Sequence, residues 1–572
     1  MNIWLLGNTT VRSPFRLRDG LIALSYSSIL GNLRGRENDV SFRDLLGEKG
    51  IVRLGSDETV SVGRKWRSAL GKLGFLYPKI STSLNIPQSS LGSADQITPS
   101  GKRLIAASTM PAIQECFLRA MLANMIPSPI EKNKSLSPFS PIPHTLSVLL
   151  LLERLSGSSS LSFEEMALVV QCSNGNEDAA SVVKNVLSFR EKRSKAFQKR
   201  LFDKKEFDVI SSRLRYKSET LKDYADTNFR YLKATGLIHA SGRGIAIVPE
   251  KKLLIDKILQ NTKVPESPLA YLHRLCNGSD LPTDDMDTAI LVLKDYQNQL
   301  LKQKILFDFT GKPVDTPADI GVLLHEAEQS LFATREKDYA LAQESNWTEI
   351  QAYLDLIHTD SPKKKISSEK EISIPKVEFP AYFEWTVWRA FLAIDSLVNK
   401  PGEARRFRID QDFLPVGPAP GNGPDILLEF QDFILVVEVT LTANSRQEAA
   451  EGETVRRHVA SVEINTRYQN NKPVYGLFIA KTVDMNTVDT FRRGIWFEKE
   501  KEMRLNIVPV DLPLFNRLFY ALSSFQGDKT ILLLSLLKDA LLKRDSLNTT
   551  GWKEHIDAIF NNKIDSALHP VK

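Results

Sequence analysis

The sequence predicts a multidomain protein of mixed α/β and α class. It reads as a winged-helix-type region, a helical connector, and a C-terminal mixed β-sheet flanked by helices. Three observations predict this. A chain of 572 residues is too long for one hydrophobic core, so three domains are the natural division. A helix, tight hairpin, helix pattern occurs twice in the first 260 residues. From about residue 376, continuous apolar strand runs alternate with helical segments, as in a sheet covered by helices.

The first domain is expected over 1–260. "GRKWRSALGKLGFLY" is an amphipathic helix with a Gly stop and a strand start, and "ITPSGKRLIAAS" is a helix capped by Thr-Pro-Ser. "DYADTNFRYLKATGLIHASGRGIAIVPEKKLLIDKIL" repeats the order: a helix ending at Gly236, two short strands around "SGRG", and a new helix. Between them, "HTLSVLLLLERL" is too short to span a bilayer and reads as a buried helix.

The second domain, 261–375, is a helical connector. "DDMDTAILVLKDYQNQLLKQKILFDF", "DIGVLLHEAEQSLFATREKDYALAQESN" and "WTEIQAYLDLIH" have helical periodicity with charged outer faces. "TDSPKKKISSEKEISIP" has no apolar face and is expected to be a flexible linker. The third domain, 376–572, opens with the helix "PAYFEWTVWRAFLAIDSLV". Strands "DILLEF" and "FILVVEVTL", the polar helix "SRQEAAEGETVRRHVASVEINTRYQ", the strand "PVYGLFIAK", a helix around "VDTFRRGIWFE" and the strand "LNIVPVD" follow. Two further helices, "LPLFNRLFYALSSF" and "TILLLSLLKDALLKR", come after.

The composition, 42% hydrophobic and 25% charged, is that of a globular protein. Seventy-five Lys and Arg against 69 Asp and Glu give a net charge of +6, which permits a polyanionic partner. Cys116, Cys172 and Cys276 are far apart and form no C-x-x-C pair, which argues against a disulfide framework, a structural zinc site or secretion. "MNIWLLGNTTVRSPF" has no signal-peptide core and no segment is long enough to span a bilayer, so the expectation is a cytoplasmic protein with no membrane partner.

The chemistry lies in "PDILLEFQDFILVVEVT" (424–440). Asp425 opens one apolar strand and Glu438 sits inside the next, between Val437 and Val439. An isolated carboxylate there is costly to ionise, whereas one that binds a divalent cation is not isolated. A hairpin brings the start of one strand to the end of the next, so the two acids converge. Two hard oxygen ligands and a main-chain carbonyl, that of Val439, suit Mg²⁺, which keeps waters and accepts phosphate oxygens. The alternative is that Asp425 caps a turn and Glu438 faces solvent on an edge strand. Glu451 and His458 are seven residues apart on the following helix and share a face. His458 also lies in the basic stretch "VRRHV", where a surface position is equally open. Glu384 stands among Tyr382, Phe383, Trp385 and Trp388, placed either to snorkel or to serve as an outer ligand.

Pro424-Asp425 followed by Glu438-Val439-Thr440 resembles a PD-(D/E)XK nuclease core in which Thr440 replaces the lysine. That form resembles the AlwI family of type IIS restriction endonucleases, which includes site-specific nicking endonucleases. The likeness is closest in "FEWTVWRAFLAI", "GNGPDILLEFQDFILVVEVTLT" and "ETVRRH". It implies a restriction-endonuclease-like fold for the C-terminal domain. It also implies a cleavage site of Glu384, Asp425, Glu438, Glu451 and His458, with Glu448 and Glu453 flanking Glu451.

The same resemblance extends to the N-terminal segments as a DNA-recognition region. Arg64, Lys65 and Arg67 start one helix, and Asn228, Arg230 and Lys233 lie in another. Arginine reads guanine bidentately in the major groove, but each of these residues is equally suited to phosphate contact. "FREKRSKAFQKRLFDKK" (189–205) suits either a solvated helix face or phosphate contact. The expectation is an Mg²⁺-dependent type IIS restriction endonuclease. It reads a short asymmetric site in double-stranded DNA and cuts a few base pairs outside it. The alternative on the same scaffold is a strand-specific nicking endonuclease. A winged-helix DNA-binding regulator is the rival from another class, and the acids inside apolar strands speak against it. A single metal site cuts one strand, so double-strand cleavage calls for a second copy or a small partner subunit.

Overall fold

The computed structural model describes residues 3–52, 54, 61–130, 138–174, 177–261, 265–367, 370–394, 396–469 and 472–569. The chain forms two compact units, Met1–Phe332 with Asp410–Asp412, and Ala333–Ile409 with Phe413–Lys572. The three helices of the expected connector, Met286–Lys302, Pro317–Ala342 and Trp347–Thr359, are divided between these units.

In the first unit, α1 (Ser61–Lys72) buries Trp66, Ala69 and Leu70 on one face and leaves Arg64 exposed. α2 (Pro99–Ala106) begins at Thr98, whose Oγ1 accepts a hydrogen bond from the Gly101 N–H at 3.0 Å. This is the expected cap, with Pro99 filling a first-turn position that needs no donor. The strand expected between α1 and α2 is a single antiparallel bridge from Leu76 to Ile97. The leucine-rich segment forms the buried helix α3 (Pro141–Ser156). Farther on, α4 (Ser218–Ala234), the hairpin β2 (Ile238–Ser241) and β3 (Gly244–Ile247), and α5 (Lys252–Gln260) reproduce the predicted helix, hairpin, helix order. β1 (Leu161–Ser162) pairs with β3 to complete a three-stranded sheet, β1-β3-β2.

In the second unit, the expected flexible linker contains a short antiparallel hairpin, Lys363–Lys365 with Glu371–Ser373. Ile372 and Ile374 point to one face and are buried, which gives this polar segment an anchor. Ser368 and Glu369 lie outside the described residues. α6 (Phe379–Ile394) is buried almost all round, as its continuous apolar sequence requires.

The sheet contains β4 (Ile426–Glu429), β5 (Ile434–Thr440), β6 (Val474–Ala480) and β7 (Ile507–Asp511), in the order β7-β6-β5-β4. β4 and β5 are antiparallel, whereas β5, β6 and β7 run parallel, so the sheet is mixed as expected. β5 and β6 are interior strands and nearly every residue in them is buried. α7 (Glu453–Gln469) links β5 to β6 and is preceded by a π-helical turn, Glu448–Gly452. The helix expected around "VDTFRRGIWFE" stops at Arg493, because Gly494 adopts φ 55°. Ile495–Glu498 instead pairs with Lys501–Arg504. Helices Leu512–Ser524, Lys529–Leu541 and Thr549–Leu568 complete the unit. Among the described residues no helix is long and apolar enough to cross a membrane.

Candidate active site

The antiparallel register of β4 and β5 pairs Ile426 with Val437. Asp425, one residue earlier, therefore stands across from Glu438. Its Oδ2 accepts a hydrogen bond from the Val439 N–H at 2.9 Å. Glu438 is only 6% exposed, on a strand flanked by β4 and β6. An edge-strand glutamate facing solvent does not describe it.

His458, on α7, is 4% exposed despite its basic flanks. Its Nδ1 lies 2.7 Å from Glu438 Oε1. Its Nε2 is buried with no hydrogen-bond partner among the described residues. The surface alternative for His458 therefore fails, because a helix over a sheet buries one face and position 458 lies on it. Glu384, on α6, is 6% exposed and its Oε2 accepts from the Ala419 N–H at 2.7 Å.

The three acids that crowd the start of α7 separate clearly. Glu448 Oε1 accepts from the Thr490 hydroxyl at 3.1 Å. Glu453 is ion-paired with Arg457 at 3.1 Å. Glu451, in the π-helical turn, is the one of the three whose charge bears on both Asp425 and Glu438.

The electrostatics of this cluster are adverse without a cation. Burial, then the charges of Asp425 and Glu438, hold Glu384 well above the usual carboxylate range. Burial, then the charges of Glu438 and Glu451, raise Asp425 in the same way. Burial and Glu451 push Glu438 up to about 8. His458 moves down, through burial first and then the positive charge of Arg457, with Arg406 acting in the same direction. Ionisation of Glu384, Asp425 and Glu438 is thus opposed until positive charge arrives.

Among the described residues no three His, Cys, Asp or Glu side chains form a ready-made metal cage. The donor chemistry nevertheless fits a hard cation. Carboxylates that raise one another, and a buried imidazole nitrogen without a partner, are relieved by a divalent ion and its waters.

Thr440 shares the face of Glu438, two residues along β5, and is buried at 7% exposure. Its hydroxyl accepts from the Thr442 N–H at 3.2 Å, so it supplies a polar contact but no charge. No sequence motif marks Arg406. Its backbone N–H donates to the Asp425 carbonyl at 3.1 Å, and its guanidinium lies against Gly423. The only local signal is an arginine-rich run, "EARRFRID", and no spacing connects 406 to 425.

The expected DNA-contacting residues fare differently. Arg64 is exposed on α1, and Lys65 is half-buried beside it. Arg64 borders a cleft of about 560 Å³ to which Arg34, Arg67, Lys72 and Lys79 also contribute. Arg67 bonds to the Leu33 carbonyl and forms an ion pair with Asp39 at 2.8 Å, so its charge is engaged inside the unit.

Asn228 requires correction as a base reader. It is fully buried, accepts from the Leu6 N–H at 2.9 Å, and donates to Trp4 O and Gln171 Oε1, both at 3.2 Å. Arg230 pairs with Asp226 at 3.0 Å, and Lys233 pairs with Asp412 of the same unit at 2.7 Å. The basic run over 189–205 is partly neutralised, with Arg190 on Glu165 and Arg193 on Asp203, both at 2.7 Å.

Residues 71–518 match the family model described as AlwI restriction endonuclease. No curated protein matches the chain. Three solved structures are similar to parts of it. The small subunit (R.BspD6I2) of the heterodimeric restriction endonuclease R.BspD6I is 23% identical, with 37% of this chain and 98% of that one covered and a TM-score of 0.28. The BpuJ1 endonuclease binding domain, in complex with modified DNA, is 13% identical over 51% of this chain and 85% of that one, with a TM-score of 0.28. Restriction endonuclease FokI is 11% identical over 84% of this chain and 82% of that one, with a TM-score of 0.21.

Proposed function

The chain belongs to the AlwI restriction endonuclease family and is a site-specific DNA nuclease, and from that premise we propose that it is a type IIS enzyme. In this reading it binds a short asymmetric sequence in double-stranded DNA through its first unit. It hydrolyses phosphodiester bonds a few base pairs away at the acidic site of its second unit, with Mg²⁺ as cofactor. The observation that carries the cleavage site is the meeting of Asp425, Glu438 and His458, with Glu384 and Glu451 around them.

Asp425, Glu438 and the Val439 carbonyl would hold the ion, and Glu384 and Glu451 would order waters around it. When bound, the ion supplies charge against the phosphate oxygens and lowers the pKa of a coordinated water. The chain's own residues supply the rest. Ionised Glu438 accepts from Nδ1–H of His458, which fixes the imidazole tautomer. Nε2 then carries the lone pair, and the lowered pKa of His458 keeps that nitrogen able to accept a proton from water. Burial of the cluster keeps these polar groups in a low-dielectric setting, where their fields are strong.

For recognition, the exposed Arg64 beside Lys65 on α1 supports major-groove or phosphate contact. The helix, hairpin, helix order of α4 to α5 supports a winged-helix reading of that segment. One such cleavage site cuts one strand, so cutting both strands takes a second copy or a small partner subunit. Run-off sequencing of both strands of a plasmid treated with the protein and Mg²⁺ tests the proposal. A fixed cut position at a fixed distance from one asymmetric sequence is expected. Cleavage inside a palindrome, or none with any divalent ion, refutes it. A break in one strand alone identifies the nicking variant.

A further inference from the structure

The nuclease core has a buried threonine where a lysine would place positive charge against the phosphate. Thr440 has its hydroxyl hydrogen-bonded to the Thr442 N–H and cannot take that role. Two arginines make their charge felt at His458, Arg457 and Arg406. Arg457 is committed to Glu453. The neighbouring Arg405 is committed to Glu336 at 2.6 Å and to the Phe407 carbonyl at 2.8 Å. Arg456 donates to the Gly452 and Ile495 carbonyls. Arg406 is exposed, and its side chain has no hydrogen-bond or ion-pair partner among the described residues.

Its position is defined all the same. The Arg406 N–H donates to the carbonyl of Asp425 at 3.1 Å, and Arg405 bridges to Ile426. The backbone of residue 406 is therefore attached to the residue that immediately precedes β4. The guanidinium extends over Gly423, where an added Cβ would come within 3.1 Å of Nη2 and 3.2 Å of Cζ. Gly423 thus leaves a seat for a planar cation two residues before the catalytic aspartate.

We propose that Arg406 contacts the phosphate being cleaved, as the cation that stands in for the absent lysine, and that Gly423 is needed to seat it. A guanidinium offers two parallel N–H donors to two phosphate oxygens, and one already positioned needs little reorganisation when charge develops there. The proposal rests on the cleavage-site reading above, and Asp425→Asn serves as the control for that reading.

The test has two parts, run on the full chain after the cut position has been mapped. In the first, single-turnover cleavage with Mg²⁺ is measured for wild type, Arg406→Ala, Arg406→Lys, Gly423→Val and Asp425→Asn. Arg406→Ala is expected to slow cleavage by about 10²–10³-fold, as for removal of one preorganised donor. Arg406→Lys recovers part of that loss, and Gly423→Val reproduces it by displacing the guanidinium. In the second, cognate binding without divalent ions is measured on DNA whose scissile phosphate is replaced by a neutral methylphosphonate. Wild type loses affinity on this replacement and Arg406→Ala loses none further, so the two changes are not additive.

Additive losses, or Arg406→Ala cutting at the wild-type rate, overturn the assignment while leaving the acidic site standing. Asp425→Asn cutting at the wild-type rate sinks the acidic-site reading instead. The binding cycle still decides Arg406 in that case, because it involves no metal and no turnover. Circular dichroism of each variant separates loss of contact from loss of fold.

Discussion

His458 Nδ1 lies 2.7 Å from Glu438 Oε1, and both side chains are almost fully buried. The contact joins α7 to the interior strand β5 and leaves the opposite ring nitrogen, Nε2, buried with no hydrogen-bond partner among the described residues. His458→Ala is expected to slow single-turnover cleavage by about 10²–10⁴-fold, with cognate binding within a few-fold of wild type. A wild-type rate would reduce the histidine to a packing residue.

The glutamate of this pair gives a pH dependence of stability, which the lowered His458 opposes only below its ordinary 6.5. Burial and Glu451 raise Glu438 from an ordinary 4.5 to about 8. Between these values the folded protein holds a proton that the unfolded chain has released. Stability therefore falls as pH rises through this window. The melting temperature of metal-free protein is expected to drop from about pH 5 to pH 8 at constant ionic strength. Glu438→Gln should reduce that slope, leaving the part that the raised Glu384 and Asp425 contribute. Mg²⁺ should restore stability most at the alkaline end in wild type and little in the variant. A metal-free profile that rises with pH through that window, unchanged in Glu438→Gln, contradicts this account of the site.

Glutamates 448, 451 and 453 are expected to behave differently on conversion to glutamine. Glu451→Gln removes a charge that raises Asp425 and Glu438, and it should reduce cleavage with little effect on folding. Glu448→Gln keeps a carbonyl oxygen for the Thr490 hydroxyl, and Glu453→Gln breaks an exposed pair with Arg457. Both should cut at close to the wild-type rate. Parallel rate measurements on the three variants decide it, and equal effects at all three positions would count against Glu451 as a site residue.

In the first unit, Asn228→Ala is expected to lower stability by about 1–3 kcal/mol, because it leaves buried backbone groups of Trp4 and Leu6 unpaired. Its effect on DNA should follow the loss of folded protein. Arg64→Ala should leave the melting temperature unchanged and weaken DNA binding. If Arg64 reads a base, about 1–3 kcal/mol is lost for the cognate site alone. If it contacts phosphate, all DNA weakens alike and the salt slope falls by roughly one unit. Denaturant melts and fluorescence titrations over a range of salt distinguish these outcomes. Wild-type affinity and salt slope in Arg64→Ala would exclude that residue from the interface.

The sequence by itself determined the local elements whose signals are local. Thr98 and Pro99 mark a helix start wherever they stand, and the all-round apolar run of 379–394 marks a buried helix. Two acids inside apolar strands were legible as a candidate site because a charge there needs a partner under any fold. The tertiary structure decided what depends on neighbours distant in the chain. The order β7-β6-β5-β4 made Glu438 interior, and packing of α7 on that sheet took His458 out of a basic surface stretch and placed it on Glu438. The same kind of packing turned Asn228, polar and apparently available, into a core residue tying Trp4 and Leu6 to α4. Two buried isoleucines made a hairpin of a segment that reads as linker. Arg406 came beside Asp425 through a backbone hydrogen bond and the missing side chain of Gly423. Periodicity reports which face of an element is apolar, but which residues meet across two faces is set by register and packing between elements far apart in sequence.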